Sequence, residues 1–366
     1  MYSKLRVLLL LTEFPFWRAA RHLSYSAQLG IEDGLRANGV NCFTVTSPWF
    51  PEIAESLVQQ RFDQLWLVGR PDVFDEASVE RMAGVAPVRL AMLADSLEYS
   101  DEEYRISPTL REREPTIEKR LQWMTHVLSC DERDVETINV RGVKPALWWP
   151  QAVPERFISD DGPGPSRDTA VFYGACYGRR REWLRRSDLK RLLSHPKSPE
   201  SGTIYPLLFN ALHLRFLGPL RFIFGGRKSG LDAYLARLRH IRMHCFENWL
   251  AALQTGRAVV NLPHLVKTYA GRVVEGMAAG RAVISWEIPD RPCNKALFED
   301  GKEILLFPND DPDRLAAQLE RLFRDDDLSR RLVGNARKTI RQFHTSEIRV
   351  RQILDWLTDG RMPRYS

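Results

Sequence analysis

The chain has 366 residues, more than a single hydrophobic core usually serves, which predicts two domains. With 44% hydrophobic and 27% charged residues, its composition is that of a globular protein and excludes long disordered stretches. The formal net charge of +6 is compatible with a polyanionic ligand or an anionic membrane surface and is decisive for neither.

The cysteines and the apolar runs indicate a cytoplasmic protein. The 5 cysteines are widely scattered and form no CxxC pair, which argues against a zinc site or a disulfide framework. The apolar run Leu5–Leu11 is too short to span a bilayer and is not followed by a signal-peptide cleavage pattern. We interpret it as the first buried strand.

The first half of the chain alternates short apolar strands with helical patterns, which predicts a parallel sheet with helical crossovers. One helix is expected over 26–38, ending at Gly39, and another from about Glu114 to Met124 with Pro115 in its first turn. The predicted strands are Arg6–Leu11, Asn41–Thr46, Gln64–Val68, Val88–Leu93 and His126–Ser129.

A change of composition around 144–167 marks a domain boundary, because its proline, glycine and aspartate residues disfavour helix and sheet interiors. A second alternating series follows. A helix is expected from Asp313, with Asp311 as its cap and Pro312 just inside its start. Two further helices are expected over 327–343 and 346–357. The strands of this series are predicted at 169–174, 257–262, 281–284 and 303–307.

Between these strands, the stretch 194–242 is the least regular and mixes aromatic, basic and apolar residues. An ordinary core helix and strand after a surface loop is the favoured interpretation. A peripheral membrane or lipid-acceptor surface over 204–228 is an alternative, since arginines and aromatic residues together suit a bilayer interface. A dimer contact is a third interpretation.

The segment from Val259 to Ile284 predicts a ligand site. It reads as a buried strand, a loop, a helix that begins near Gly271, and a second buried strand. In an open α/β sheet, ligands bind where strand ends meet helix starts, and a helix N-terminus favours phosphate. Glu275, just inside this helix, supplies a carboxylate for sugar hydroxyls, and a phosphate plus a diol is the outline of a nucleotide.

Two parallel α/β halves with a proline-rich hinge resemble the GT-B glycosyltransferases, whose two Rossmann-like parallel-sheet domains face each other across a cleft. The hinge VRGVKPALWWPQAVPERF resembles the linker of group 1 glycosyltransferases. The segments RVVEGMAAGRAVI, ALFEDGKEILLFPNDDPDRLAAQLERLF and RRLVGNARKTIRQFHT resemble their C-terminal domain, and the CgeB-like, spore-protein-type subgroup is the most similar.

The resemblance implies an acceptor domain over 1–153, a hinge over 154–167 and a donor domain over 168–345. It also implies that the C-terminal helix 346–360 joins the acceptor domain. Glu275 matches the glutamate that holds the donor's ribose, and the loop containing Tyr269, Gly271 and Arg272 matches the one that meets the diphosphate. Gly174 matches the glycine of the family's first phosphate loop, and Arg179, Arg180 and Arg181 compete for its arginine.

The chain departs from the family pattern at two places. Lys267 occupies the position of a second glutamate eight residues before Glu275, which leaves retaining or inverting stereochemistry open. Lys267 could instead contact phosphate or a negatively charged sugar. The Gly-Gly phosphate loop expected after the first strand is also replaced, by a segment containing Glu13 and His22.

Three residues are candidates for acid–base or acceptor chemistry. Asp95 follows an apolar strand and is expected at the carboxyl edge of the first sheet, where it could deprotonate an acceptor hydroxyl. Glu13 and His22, in the loop after the first strand, are expected at the same edge. His264, at the end of the VVNLP strand, is a candidate for lining the donor site.

These residues predict a metal-independent, hexosyltransferase-type glycosyltransferase with a nucleoside-diphosphate sugar as donor substrate and no permanent cofactor. Fixed positive charge would stabilise the diphosphate leaving group, which makes a divalent metal unnecessary. The acceptor is open: a cell-surface glycan, a lipid-linked sugar, a protein or a small molecule. A nucleotide-sugar epimerase and a non-catalytic nucleotide-sugar binding protein are alternatives, whereas a nucleic-acid partner is not expected.

Overall fold

A computed structural model of the chain describes residues 2–12, 26–47, 50–142, 144–160, 167–196 and 228–365. These residues divide into two compact units. The first comprises residues 2–12, 31–47, 50–142, 144–150 and 264–268, and the second comprises 26–30, 151–160, 167–196, 228–263 and 269–365. The assignment of acceptor, hinge and donor functions to 1–153, 154–167 and 168–345 stays a prediction.

The first unit is built on a parallel sheet of 6 strands in the order β2-β1-β3-β4-β5-β6. Its strands are β1 (Arg6–Leu11), β2 (Asn41–Thr46), β3 (Gln64–Gly69), β4 (Val88–Leu93), β5 (His126–Ser129) and β6 (Ala146–Trp148). The predictions for β1 to β5 are confirmed to within one residue. In β1, residues Val7 to Leu11 form a buried apolar run, which is typical of a parallel strand covered on both faces. The short strand β6 was not predicted, since it lies in the proline-rich stretch around the expected boundary.

The helices of this sheet are α1 (Ser26–Ala37), α2 (Phe50–Gln59), α3 (Glu76–Val85), α4 (Asp101–Ile106), α5 (Thr109–Leu121) and α6 (Glu132–Arg141). The predicted start of α5 near Glu114 is wrong, because Pro115 lies inside the helix and not in its first turn. Burial of Leu110 one turn earlier, together with Ile117 and Leu121, anchors the longer helix on the core. Tertiary packing here outweighs the preference of proline for a helix start.

The second unit contains a parallel sheet of 5 strands in the order β11-β10-β9-β7-β8. The strands are β7 (Ala170–Val171), β8 (Leu193–Ser194), β9 (Ala258–Asn261), β10 (Ala282–Trp286) and β11 (Leu305–Phe307). Four of them overlap segments that the sequence predicts, and β10 extends two residues beyond its predicted end at 284. The fifth, β8, has 2 residues, too few to give a periodic signal.

The helices of the second unit are α7 (Arg179–Trp183), α8 (Ser187–Leu192), α9 (Lys228–Gln254), α10 (Arg272–Ala278), α11 (Pro292–Lys295), α12 (Pro312–Arg324), α13 (Asp326–Phe343) and α14 (Ser346–Asp359). The predicted cap of α12 is confirmed, since Asp311 accepts a hydrogen bond from the backbone N–H of Arg314 at 2.8 Å. The predicted opening of a helix near Gly271 is also confirmed.

The segment 204–228 lies outside the described residues except for its last residue, so its membrane and dimer interpretations stay predictions. Among the helices that the structure describes, none is long and apolar enough to cross a membrane. In α9, the side chains of Phe246, Trp249 and Leu253 are buried.

Candidate functional site

The order of the second sheet creates a topological switch point between β7 and β9. The chain leaves β7 for β8 on one side of the sheet and then forms β9 on the other side. At such a point the two crossovers diverge and leave a crevice at the carboxyl ends of the strands, where α/β proteins bind ligands. In this sheet Phe172 and Gly174 follow the carboxyl end of β7, and Asn261 is the last residue of β9.

Arg272, the first residue of α10, extends its side chain to this point. Its Nη1 donates a hydrogen bond to Oδ1 of Asn261 at 2.9 Å, and its guanidinium carbon lies 5.2 Å from the ring centroid of Phe172. Burial lowers the pKa of Arg272, although Tyr177 and Glu275 act in the opposite direction. Among the described residues, no carboxylate forms an ion pair with this guanidinium, so the switch point holds a positive charge without a direct counter-ion.

Gly174, a predicted site residue, lies directly against this arginine. A Cβ atom at Gly174 would lie 3.1 Å from Nη2 of Arg272 and 2.7 Å from Cζ of Phe172. The second distance is shorter than real Cβ contacts allow, so any other residue would displace the ring or the guanidinium. The glycine therefore permits the close approach of the loop after β7 to Arg272.

The three consecutive arginines of α7 have different roles. Arg180 is buried and donates hydrogen bonds to the carbonyl oxygens of Ala175 (3.1 Å), Leu262 (3.0 Å) and Pro263 (2.6 Å). Its burial, together with nearby Arg272, lowers its pKa to about 9. Arg179 and Arg181 are exposed. Arg180 thus ties the loop after β7 to the end of the β9 segment.

His195, which the sequence analysis did not single out, belongs to the same cluster. It follows β8, and its Nε2 lies 2.9 Å from the carbonyl oxygen of Gly174. Its ring stacks on Phe172 at a centroid distance of 5.3 Å and an interplanar angle of 28°. Phe172 therefore contacts His195, Arg180 and Arg272, the last two with their guanidinium carbons 5.2 Å from the ring centroid.

Glu275, the predicted ribose ligand, is fully buried at 0% exposure. Its Oε2 accepts a hydrogen bond from the indole N–H of Trp249 at 2.8 Å, and Trp249 packs edge-on against Tyr173 with ring centroids 5.4 Å apart. Trp249 carries no recognisable sequence signal, because it lies 26 residues before its partner on a different element. A ligand reaches this carboxylate only by displacing side chains that cover it.

Two predicted site residues, Tyr269 and Gly271, lie just before α10. Tyr269 is buried, and its backbone N–H donates to Oδ1 of Asn294 at 3.2 Å. That amide, expected to meet a diphosphate, therefore already has a protein acceptor. Burial also raises the pKa of the Tyr269 phenol. Gly271 is the N-cap residue of α10 and has helical backbone angles, φ −47° and ψ −35°.

Lys267 and His264 lie in the first unit, within its segment 264–268. The ammonium of Lys267 pairs with a carboxylate oxygen of Glu103 at 2.6 Å and lies 5.5 Å from the ring centroid of Tyr99. The Nδ1 atom of His264 accepts a hydrogen bond from the backbone N–H of Val266 at 2.8 Å. Lys267 therefore already has a carboxylate partner, which weakens the expectation that it binds phosphate.

Asp95 lies just beyond the carboxyl end of β4, the edge at which the sequence places it. Its carboxylate pairs with Nη1 of Arg113 at 2.7 Å, and Nε of the same arginine lies 3.6 Å from Asp72. The other two catalytic candidates, Glu13 and His22, lie outside the described residues.

Asp134 is a buried carboxyl group in the first unit that the sequence analysis did not identify. It accepts hydrogen bonds from the backbone N–H of Leu97 at 3.0 Å and from the hydroxyl of Ser129 at 2.9 Å. Burial, aided by nearby Asp131, raises the pKa of Asp134 to about 7.

Over the described part of the chain, no group of three or more His, Cys, Asp or Glu side chains is arranged to hold a metal ion.

Comparison with known proteins agrees with this architecture. A family model described as glycosyl transferase-like matches residues 207–355. No curated protein matches the chain significantly.

Solved structures resemble the chain over nearly its full length. Sucrose-phosphate synthase from Thermosynechococcus elongatus has a TM-score of 0.55 at 14% identity, and the match covers 96% of this chain and 98% of that one. An alpha-glucosyltransferase in complex with UDP and a 13-mer DNA has a TM-score of 0.55 at 12% identity, covering 97% of this chain and 99% of that one. Anabaena Alr3699/HepE in complex with UDP and glucose has a TM-score of 0.53 at 10% identity, and the match covers 96% of this chain and 99% of that one. The chain therefore has the GT-B fold of two parallel-sheet α/β domains, and its residues 207–355 are similar to the glycosyl transferase-like family model.

Proposed function

We propose that the protein is a glycosyltransferase that transfers a sugar from a nucleoside-diphosphate donor to an acceptor hydroxyl. One observation carries the proposal: Arg272, without a direct counter-ion among the described residues, lies beside Gly174 at the switch point of the second sheet. A planar guanidinium suits a diphosphate because it presents several N–H donors to two oxygens. The glycosyl transferase-like match over residues 207–355 supports the same reaction class.

The chemistry follows from the charge on the leaving group. Breaking the anomeric C–O bond leaves negative charge on the diphosphate, and a preorganised cation stabilises that charge as it develops. In this proposal Arg272 supplies the charge, so the reaction needs no metal ion. UDP is the first nucleoside diphosphate to test, because two of the similar structures contain UDP.

The ribose of the donor is assigned to Glu275. A carboxylate can accept hydrogen bonds from both hydroxyls of a ribose, and the indole N–H of Trp249 holds it in one orientation. Since Glu275 is fully buried, donor binding must displace the side chains that cover it. The proposal therefore includes a local rearrangement around the start of α10.

The acceptor is assigned to the first unit, with Asp95 as the candidate base of an inverting reaction. Its position after β4 and its contact with Arg113 support a fixed orientation of the carboxylate. A cytoplasmic location and similarity to the CgeB-like subgroup complete the proposal.

A nucleotide panel combined with product analysis tests the function. UDP, GDP, ADP and dTDP are titrated against the protein by thermal shift, since a ligand specific for the folded state raises the melting temperature. The corresponding radiolabelled nucleotide sugars are then incubated with and without candidate acceptors. A product that needs an acceptor supports transfer, a changed sugar without acceptor indicates an epimerase, and binding without turnover indicates a non-catalytic protein.

A further inference from the structure

The first unit contains a cavity between α5 and α6, hereafter the α5–α6 cavity, that the proposed function does not use. Its volume is about 260 Å³, just below the range of about 300–1,000 Å³ that is typical of small-molecule sites. Its lining comes from α5, α6, β5, the loop after β4 and Lys144, which precedes β6. All of these residues belong to the first unit, so the cavity is formed within that unit alone.

Asp134 lies in the wall of this cavity with one carboxyl oxygen unused. The residue is only 2% exposed, and its two hydrogen bonds, from Leu97 and Ser129, both go to Oδ2. The other oxygen, Oδ1, accepts no hydrogen bond from the described residues and retains access to solvent. A buried polar atom without a partner is costly, so Oδ1 is the atom at which a ligand in the cavity gains most.

The walls beside Asp134 are apolar. Leu121 and Val127 are buried, and Leu97 and Ile138 are partly buried. Apolar walls around a single buried carboxyl group suit a ligand with a hydrocarbon body and one polar group. A metal ion would find too few ligands, since no three His, Cys, Asp or Glu side chains of the described residues are arranged around one.

The charged groups of the α5–α6 cavity have a negative excess. Four carboxyl groups and two cationic side chains line it: Glu98, Glu114, Glu118 and Asp134 against Arg141 and Lys144. Arg141 pairs with Glu118 at 3.1 Å, and the ammonium of Lys144 donates to the backbone carbonyl oxygen of Met124 at 3.0 Å. Neither cation forms an ion pair with Asp134. The excess of carboxyl groups therefore favours a cationic ligand.

We propose that the α5–α6 cavity binds a small protonated amine with an apolar body, whose ammonium pairs with Oδ1 of Asp134. The inference goes beyond the proposed function and does not depend on it. An ammonium supplies the N–H donors that Oδ1 lacks, and the low dielectric of a buried site strengthens such a contact. A ligand of this kind also gives a reason for the fold to keep a carboxyl group whose ionised form destabilises it.

Two matched probes test the proposal on the full chain. Cyclohexylamine and cyclohexanol share a ring and differ in charge, and NMR titrations measure their dissociation constants. At pH 8 we expect the amine to bind at least about tenfold more tightly than the alcohol, since hydrogen bonds between charged groups are the stronger ones. Equal affinities of the two probes, or no saturable binding of the amine, overturn the proposal.

A charge-removing variant locates the binding. Asp134→Asn keeps the size of the side chain and an oxygen for its two donors, and we expect it to weaken cyclohexylamine at least about tenfold while leaving cyclohexanol within about threefold. The control is Glu32→Gln, which removes a second buried carboxylate, one that pairs with Arg36 at 3.0 Å on α1. It should bind both probes as the wild type does. An equal loss in Asp134→Asn and Glu32→Gln assigns the affinity to net charge and overturns the proposal.

A cavity-filling variant tests the site with the carboxyl group intact. Thr137 lines the cavity and is partly buried, and Thr137→Leu fills space there. We expect both probes to lose saturable binding in a folded Thr137→Leu protein. If the amine keeps its wild-type affinity, it binds elsewhere and the proposal is wrong.

The pH dependence of binding is a readout in the unmodified protein. Burial and the charges of Asp131 and Glu98 raise the pKa of Asp134 to about 7, and burial keeps the pKa of the adjacent Cys130 thiol well above its ordinary value. The affinity for cyclohexylamine should therefore rise about tenfold from pH 6 to pH 8, the ratio of the ionised fractions of Asp134. In Asp134→Asn it should stay nearly constant. The same pH dependence in both proteins overturns the proposal.

Discussion

The side chain of Arg272 is anchored to Asn261, with Nη1 of the arginine 2.9 Å from Oδ1 of the amide. This contact links the start of α10 to the end of β9, so the guanidinium is held at the switch point by a neutral partner. A neutral partner orients the cation without cancelling its charge. The geometry is therefore suited to an anion supplied by a ligand.

The first prediction concerns this charge. Arg272→Gln can retain a hydrogen bond to Asn261 and removes the cation. We expect nucleoside-diphosphate affinity to fall about 10- to 100-fold, since hydrogen bonds to charged groups contribute about 1.5–3 kcal/mol. Calorimetry measures the loss. Arg257→Gln, which removes a surface arginine paired with Asp326, is the control and should bind as the wild type does.

The second prediction concerns the close approach at Gly174. Gly174→Ala places a methyl group 2.7 Å from Phe172 and 3.1 Å from Arg272, so the ring or the guanidinium must move. We expect diphosphate affinity to fall at least about tenfold, or 1.4 kcal/mol. Gly334→Ala is a matched control, because a Cβ atom there meets nothing within 4 Å inside α13. It should leave binding intact and raise stability by about 0.5–1 kcal/mol; equal affinities in the two variants would argue against the site.

The third prediction concerns recognition of the ribose. Glu275→Gln keeps the size of the side chain and removes its charge, and we expect it to reduce the preference for UDP over 2′-deoxy-UDP about tenfold or more. Competition titrations with the two nucleotides measure this preference. A variant that weakens both nucleotides equally would show that Glu275 supports the fold of the site without reading the ribose.

The fourth prediction concerns Asp134 and the pH dependence of stability. Folding raises the pKa of Asp134 from 3.8 to about 7, so the folded protein holds this proton more tightly than the unfolded chain. The resulting stabilisation is fully present below the unfolded pKa and is lost as pH rises through about 7. Asp134→Asn cannot ionise, and we expect it to gain on the wild type by a few kcal/mol between about pH 5 and pH 8. Denaturant unfolding of both proteins at both pH values checks this. The same change in the free energy of unfolding between the two pH values in both proteins would contradict it.

The fifth prediction concerns the acceptor side. If Asp95 is the base, Asp95→Asn should lower the turnover number about 10²- to 10⁴-fold while leaving diphosphate affinity within about threefold. The measurement is turnover with the donor and acceptor selected by product analysis. Glu98→Gln, a nearby carboxylate outside the Asp95–Arg113 pair, is the control. Wild-type turnover in Asp95→Asn would show that another residue is the base.

Much of the fold was predictable, because strands such as Arg6–Leu11 and Ala282–Trp286 are apolar runs whose burial on both faces follows from their composition. The glycine at 174 and the arginine at 272 were also recognisable, since motifs fix their places relative to strand ends. His195 and Trp249 were not, because their partners lie 21 and 26 residues away on other elements. The burial of Arg180 beside two exposed arginines depends equally on tertiary packing, which a run of identical residues does not reveal.

A crystal structure of the protein with UDP, or with the diphosphate that the panel selects, tests the central claim most directly. We predict that the diphosphate lies within hydrogen-bond distance of Arg272, at the carboxyl ends of β7 and β9. A diphosphate bound elsewhere, with Arg272 still contacting only Asn261 and Phe172, would contradict the proposed donor site.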